Sequence, residues 1–474
     1  MPVSESALAK KLSAALASRN DRYRFPESSL SLAPSTPRAI SDVIITAAAT
    51  TSNPTPQPHV DFASNDFLSL STSPHLRARV LAALHSAPSI LGSGSSRLLV
   101  YNHAHAMLEA RLARTFRSPA ALLFNSGFDA NTGFFSCIPQ PGDAVVHDAA
   151  IHASVHDGLR SSRVPPSMCR SFAHNDVDAL SATLRALRDE HAALREGTSS
   201  VIVAVESVYS MNGSVAPLRA MLDTIDEVFP AGNAHMVVDE AHGTGVFGPG
   251  GRGLVALLGV EDRVLARLHT FGKALAASGA VILSSTLIRD YLFNYARSLT
   301  YTTALSNTAV VSASCSFDLL EDGTTERLAA QVLGHSAYFQ EHLRASLAAW
   351  SIPLHILALP VYLKQHPSIA QPLTPIVPLL TPRSQDLALH LRAHRFNVRS
   401  LSFPIVQKGT DRVRVCLHAS NTRAEIDALV NACMAWAAGI VLEERAGPEA
   451  DGARIGGSVS GMRPDGRNLL GSKL

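Results

Sequence analysis

A chain of 474 residues, 46% hydrophobic and 17% charged, has material for two or three packed domains and is too apolar for a disordered segment. Its formal charge of +2 offers no electrostatic case for nucleic acid or an anionic membrane surface. The five cysteines (Cys137, Cys169, Cys315, Cys416 and Cys433) include no C-x-x-C pair, which argues against a disulfide framework or a metal site and for core thiols in a reducing compartment.

Leu8, Leu12 and Leu16 recur at helical spacing and predict an amphipathic helix over residues 5–19. Lys10, Lys11, Arg19 and Arg22, with few acids between them, mimic a transit peptide, although the other end of the chain carries a clearer address. Residues 27–58 are rich in Ser, Pro and Thr and read as an irregular arm, so residues 1–60 form an N-terminal helix and arm. From "VDFASNDFLSL" onward, apolar runs such as "AALLF", "DAVVHD", "SVIVAVES" and "GAVILSS" alternate with helix-length segments. That alternation predicts an α/β fold: a large domain over 61–316 with a mainly parallel sheet sandwiched by helices. A helical region at 305–350 leads into "TPIVPLLT", "FNVRSL" and "DRVRVCLHAS", strands of a smaller C-terminal α+β domain over 317–445 that a helix at 422–440 closes. The longest uncharged stretch, Ser298 to Phe317, is half Ser, Thr or Asn, and no membrane span is expected. Residues 446–474 read as a flexible tail ending in Ser472, Lys473 and Leu474, a tripeptide of the kind read by a peroxisomal import receptor.

The segment "VVDEAHGTGVFGPGGRG" holds two false leads. "DEAH" matches a helicase box but no Walker-type loop accompanies it, and the GxGxxG of Gly248, Gly250 and Gly253 lacks a strand before it and an acid about 20 residues on. What survives is Asp239 at the end of an apolar run, with His242 three residues later. Ser126, Gly127 and Phe128 follow a strand-like run and precede a helix, where free amides suit a phosphate. His152 follows "DAVVHD", where its flat ring can lie over an aromatic group. Lys273 stands after Gly272, at the end of the strand-like "VLARLHTFGK", and before 15 uncharged residues, Ala274 to Ile288. A phosphate cradle, a flat histidine, an aspartate and a lysine together are what pyridoxal 5'-phosphate requires.

In chain order, "DFASNDFLSLS", "GSGSSRLL", "NSGFDAN", "HASVHDG", "FAHNDV", "ESVYSMNGSVAPL", "VVDEAHGTGVFGPGGRG", "TFGKALAASGA", "YTTALS" and "DRVRVCLHA" resemble the α-oxoamine synthases, a branch of the fold-type I pyridoxal-phosphate enzymes. The resemblance covers most of residues 61–440. It implies that Lys273 bonds the cofactor and later acts as a base, its pKa lowered by a crowded cationic site. It implies that Asp239 pairs with the ring nitrogen, that His242 and Ser210 face the phenolic oxygen, and that His152 stacks on the ring. Thr270 and the Ser126, Gly127 and Phe128 backbone would hold the phosphate. Thr302 and Thr303 would reach the phosphate of a neighbouring subunit, making a homodimer with shared sites. Arg414 would bind the amino-acid carboxylate, with Asn65 nearby and Arg22 or Arg24 near the acyl chain. The implied reaction is a decarboxylative condensation of L-alanine with an acyl-CoA, pimeloyl-CoA favoured.

Two stretches depart from the family pattern. Val100 and Tyr101 stand where a small residue and glycine are usual. Ser402, Phe403 and Pro404 replace an arginine and two prolines common in biotin-pathway members, with Gln407 further on, so the acyl specificity is the least legible property.

Overall fold

The computed structural model describes Lys11, residues 59–361 and residues 373–446. The arm at 27–58, Arg22, Arg24, the C-terminal tripeptide and, Lys11 apart, the helix expected at 5–19 lie outside the described residues. The first strand, Val60–Asp61 (β1), is followed by seven strands that form one sheet: Ala120–Phe124 (β2), Ala144–Asp148 (β3), Cys169–Phe172 (β4), Val201–Glu206 (β5), Ala234–Asp239 (β6), Val264–Thr270 (β7) and Ala280–Ser284 (β8). Their order is β2-β8-β7-β6-β5-β3-β4. All neighbours from β7 to β4 run parallel, whereas β8 is antiparallel to both β7 and β2. The exception has a simple cause. A parallel return needs a crossover of a dozen residues or more, and the connection Phe271–Gly279 is too short for one. Phe271 N donates to Gly279 O and Ala277 N to Phe271 O, both at 2.9 Å, and this compact turn carries Lys273. Lys273 thus lies three residues past the end of β7 rather than on the strand, as its sequence context suggests.

Strands β2, β3, β5 and β8 are buried along their whole length, the pattern of a sheet covered on both faces. Alternate residues join different cores. Val146, Val203 and Val238 pack in the larger cluster with Leu184, Met221 and Leu222, while Val145, Ile202 and Val237 pack with Phe134, Phe135 and Leu292 on the opposite face. Each such side chain contributes roughly 1.5–3 kcal/mol by its burial. The remaining strands are Ile376–Leu380 (β9), Phe396–Asn397 (β10), Arg399–Leu401 (β11) and Arg412–Cys416 (β12). β11, β12 and β9 make an antiparallel sheet, and β1 pairs in parallel with β10.

The helical region read at 305–350 is two helices, Asn307–Glu321 and Thr324–Ala349. Gly323, at φ +78°, supplies the left-handed turn between them. Residue 316, where the sequence reading sets a domain boundary, lies inside the first of these helices, and the described part of the chain beyond His59 falls in one compact unit. The last helix, Arg423–Ala446, is long and apolar enough to cross a membrane by length and composition, but its Ile426, Leu429, Val430, Cys433 and Ala437 are buried in the core.

Candidate active site

The C-terminal ends of β3, β5, β6 and β7 open onto one crevice, where sheets of this class bind ligands. Asp239 ends β6 and Glu206 ends β5, and the parallel register sets them side by side. Asp239 Oδ1 accepts from Ala241 N at 2.9 Å, and its Oδ2 accepts from Asn131 Nδ2 at 2.8 Å. Asn131 lies on the buried face of the helix Gly127–Cys137 and also donates to Ser154 Oγ at 3.0 Å. That hydroxyl is 2.8 Å from His152 Nδ1. Two side chains, Asn131 and Ser154, therefore connect Asp239 to His152.

Ser126 caps the same helix, its Oγ accepting from Asp129 N at 3.1 Å. The Gly127 and Phe128 amides that follow belong to the first turn, where no preceding helical carbonyl accepts them. A Cβ on Gly127 would stand 3.4 Å from Thr270 Cβ, so the helix start and the end of β7 touch, and Ser126, Gly127, Phe128 and Thr270 form one rim. The Phe128 side chain is exposed and meets the His152 ring edge-on at 6.4 Å, which leaves its backbone as the anion-facing part. His152 is exposed on one side. Partial burial lowers its pKa, Asp239 opposes the shift and Lys273 reinforces it.

Lys273 Nζ lies 2.8 Å from His242 Nε2. Burial of the amine lowers its pKa; Asp239 and Glu206 oppose that shift and Arg414 adds to it. The crowded cationic site expected from the resemblance is therefore corrected: desolvation comes first, and the two nearest carboxylates pull the other way. His242 is driven well below the ordinary histidine range by burial, then by Lys273, Arg414 and His152, which favours the neutral ring. Its buried Nδ1 has no partner, and Phe67 packs against the ring at 5.9 Å. Glu206 is pushed well above the usual carboxylate range by burial and by Asp239, with Lys273 opposing.

On the facing side, Arg414 of β12 is 6% exposed. Nε donates to Ser210 O at 2.6 Å, one terminal nitrogen to Cys416 Sγ at 2.8 Å and the other to Asn65 Oδ1 at 2.8 Å. A guanidinium has five N–H donors, so these three bonds fix its plane and leave two donors for a carboxylate. Ser210, expected to offer its hydroxyl, also engages through its carbonyl. Thr302 and Thr303 follow the short helix Arg297–Thr300, and the Thr303 carbonyl accepts from Asn125 Nδ2 at 2.8 Å. This ties their turn to the residue before Ser126 within one chain.

The structure thus brings Ser126, Gly127, Phe128, His152, Asp239, His242, Thr270 and Lys273 into one crevice, with Arg414, Asn65 and Ser210 joined to one another opposite. Sequence reasoning missed Asn131, Ser154, Glu206 and Phe67. Glu206 had a signal, since it ends an apolar run as Asp239 does. The residues fit pyridoxal phosphate on the structure's own terms: an unpartnered buried histidine nitrogen, helix-start amides beside a glycine, an uncovered imidazole face and a buried carboxylate held in place.

Fold and site together define a fold-type I, pyridoxal-phosphate-dependent transferase. The Aminotransferase class I and II family model matches residues 57–432, and the chain belongs to that family. It is 44% identical to an 8-amino-7-oxononanoate synthase of Emericella nidulans over 80% of this chain and 90% of that one. It is 40% identical to the aminoacyl transferase sphA of Aspergillus fumigatus, covering 78% and 79%. Among solved structures, serine palmitoyltransferase of Sphingomonas wittichii shares the fold with a TM-score of 0.67 at 23% identity, over 81% of this chain and 88% of that one.

Proposed function

We propose that the protein condenses L-alanine with an acyl-CoA, pimeloyl-CoA above others, to give 8-amino-7-oxononanoate, CO2 and CoA, a step of biotin biosynthesis. The observation that carries the reading is the placement of a desolvated Lys273 against neutral His242, facing a carboxylate clamp of Arg414 and Asn65. The similarity to the Emericella nidulans synthase supports the choice of product.

Pyridoxal phosphate, when bound, supplies a sink for the electrons left at the substrate Cα as a bond there breaks. Lys273 would bond its aldehyde carbon, Asp239 would face its ring nitrogen, His242 and Ser210 its phenolic oxygen, His152 its ring, and the Ser126–Thr270 rim its phosphate. Arg414 and Asn65 hold the alanine carboxylate, which fixes the Cα–H bond relative to Lys273. With its ammonium form disfavoured by burial, Lys273 Nζ takes the Cα proton. A Cα–C bond then forms at the thioester carbonyl as the C–S bond breaks and CoA leaves with its electron pair. The Cα–carboxylate bond breaks to release CO2, and the proton returns to Cα, which balances the reaction.

A second reading, an α-oxoamine synthase that takes a different acyl-CoA or a carrier-bound polyketide chain, is favoured by the 40% identity to sphA and by Ser402 and Phe403. CoA release with L-alanine, comparing pimeloyl- with succinyl-, octanoyl- and palmitoyl-CoA, decides between them. Pimeloyl-CoA should be the preferred donor and Lys273→Ala should be silent with every donor. Turnover with another donor alone would move the enzyme to the second reading.

Two further parts of the proposal concern assembly and address. A homodimer with shared sites is supported by an exposed apolar patch of Leu91, Leu99, Tyr101 and Tyr301 beside the Thr302–Thr303 turn. Ile90 O and Ser95 O accept from Thr308 N and Ala304 N, which joins these two segments. Import into peroxisomes is proposed from the Ser472, Lys473 and Leu474 tripeptide itself, and a peroxisome can supply chain-shortened acyl-CoAs.

A further inference from the structure

The end of β5 runs into a tight hairpin, Val208 to Val215, in which Tyr209 N donates to Ser214 O and Gly213 N to Tyr209 O, both at 2.9 Å. Its tip carries Ser210, whose carbonyl accepts from Arg414 Nε. The tip is gripped from two sides. On one, Thr374 Oγ1 donates to Gly213 O at 3.0 Å, and a Cβ on Gly213 would stand 2.1 Å from Ile376 O, so β9 presses directly on the backbone there. On the other stands His174, two residues past β4. Its Nδ1 donates to Asp148 Oδ1 at 2.8 Å, and its Nε2 lies 2.8 Å from Ser214 Oγ and 3.1 Å from Asn212 Nδ2. Asp148 ends β3 fully buried and also accepts from Asn175 N and Ala150 N. Burial alone would raise its pKa, but the His174 bond and these two amides hold it below the ordinary carboxylate range. Tyr209 packs edge-on against the imidazole at 4.4 Å. A buried carboxylate thus fixes a histidine, and the histidine fixes the hairpin.

We infer that His174 is a positioning residue for amino-acid binding: through Ser214 it sets the hairpin so that the Ser210 carbonyl orients Arg414. The inference rests on Arg414 holding the substrate carboxylate, as proposed above, and adds to that clamp a residue that acts one step removed from it. A guanidinium held by three acceptors keeps its remaining donors aimed only while all three stay in place. Asn65 and Cys416 are anchored independently of the hairpin, the first in the segment after β1 and the second on β12 itself. Ser210 O is therefore the acceptor that a loosened hairpin would withdraw. Ser214 is 4% exposed, so its hydroxyl reports on the hairpin without meeting a ligand.

The test follows L-alanine binding to the holoenzyme through the absorbance of the bound cofactor, with no acyl donor present. His174→Asn keeps a donor for Asp148 and loses the contact with Ser214, whereas Ser214→Ala removes the same contact from its other end. Each should raise the Kd for L-alanine roughly 10-fold, the effect of removing a group that orients a binding residue. The double variant should be little worse than either alone, because one contact carries both effects. Cofactor affinity should change much less, since Lys273, Asp239 and the phosphate rim lie off the hairpin, and that difference separates positioning from a general loosening of the fold. An unchanged Kd in both single variants, effects that multiply in the double variant, or an equal loss of cofactor affinity overturns the assignment. Arg414→Leu serves as the reference. Normal L-alanine binding there overturns the carboxylate reading and this inference with it, whereas weak binding there beside normal binding in His174→Asn sinks the inference alone.

Discussion

Asn131→Ala is the sharpest probe of the network beneath the cofactor-facing residues. Its amide gives one hydrogen to the buried Asp239 carboxylate at 2.8 Å and the other to Ser154 Oγ at 3.0 Å. The first bond involves an ionised acceptor and is worth about 1.5–3 kcal/mol, the second about 1 kcal/mol. Removing both lowers stability by about 2–4 kcal/mol, with less than full additivity because the two bonds share one donor group. Asp239 is left to turn about its remaining bond to Ala241 N, and His152 loses the far support of Ser154. Cofactor affinity should therefore fall by roughly 10- to 100-fold, the usual effect of removing a group that orients a binding residue. Absorbance titration of apoprotein with pyridoxal phosphate, beside urea unfolding, reads the two effects separately. Asn131→Asp should be worse than Asn131→Ala in both, since it sets a second carboxylate against Asp239 at nearly unchanged volume. Asn131→Ala with wild-type affinity and a wild-type urea midpoint would refute the argument that this amide orients Asp239.

Two other outcomes follow from the surface and the chain end. Leu99→Lys with Tyr101→Lys should convert a dimeric species to monomer in sedimentation and lower turnover together with it; full turnover by the monomer would sink the shared-site proposal. A fluorescent fusion that ends in Ser472, Lys473 and Leu474 should mark peroxisomes and become diffuse when the tripeptide is removed, and an unchanged pattern would remove the address.

The sequence is most legible where one strand end carries one chemical group. Asp239, Lys273 and the Ser126 rim follow from apolar runs that stop at a polar residue or glycine, and the mainly parallel sheet follows from the same runs. Partners across the chain are not visible in that way. Asn131 meets Asp239 across 108 positions and Asn65 meets Arg414 across 349, and each pairing depends on how helices and sheets pack rather than on local pattern. The antiparallel turn of β8 escaped notice because a buried strand reads alike in either direction.

The pairing of β1 has a consequence for biosynthesis. Its partner on β10 is 336 residues later, and Phe62 O and Phe67 O wait for Cys416 N and Ala419 N. At the usual pace of translation the segment bearing Asn65 and Phe67 emerges roughly 17–70 s before the strands it needs. The seven-stranded sheet can assemble in that interval, but the carboxylate clamp cannot. On the roles proposed above, a nascent chain halted between residues 284 and 414 therefore holds Lys273 and the phosphate rim without Arg414, so the cofactor-facing side of the crevice exists before the residue assigned to the amino-acid carboxylate.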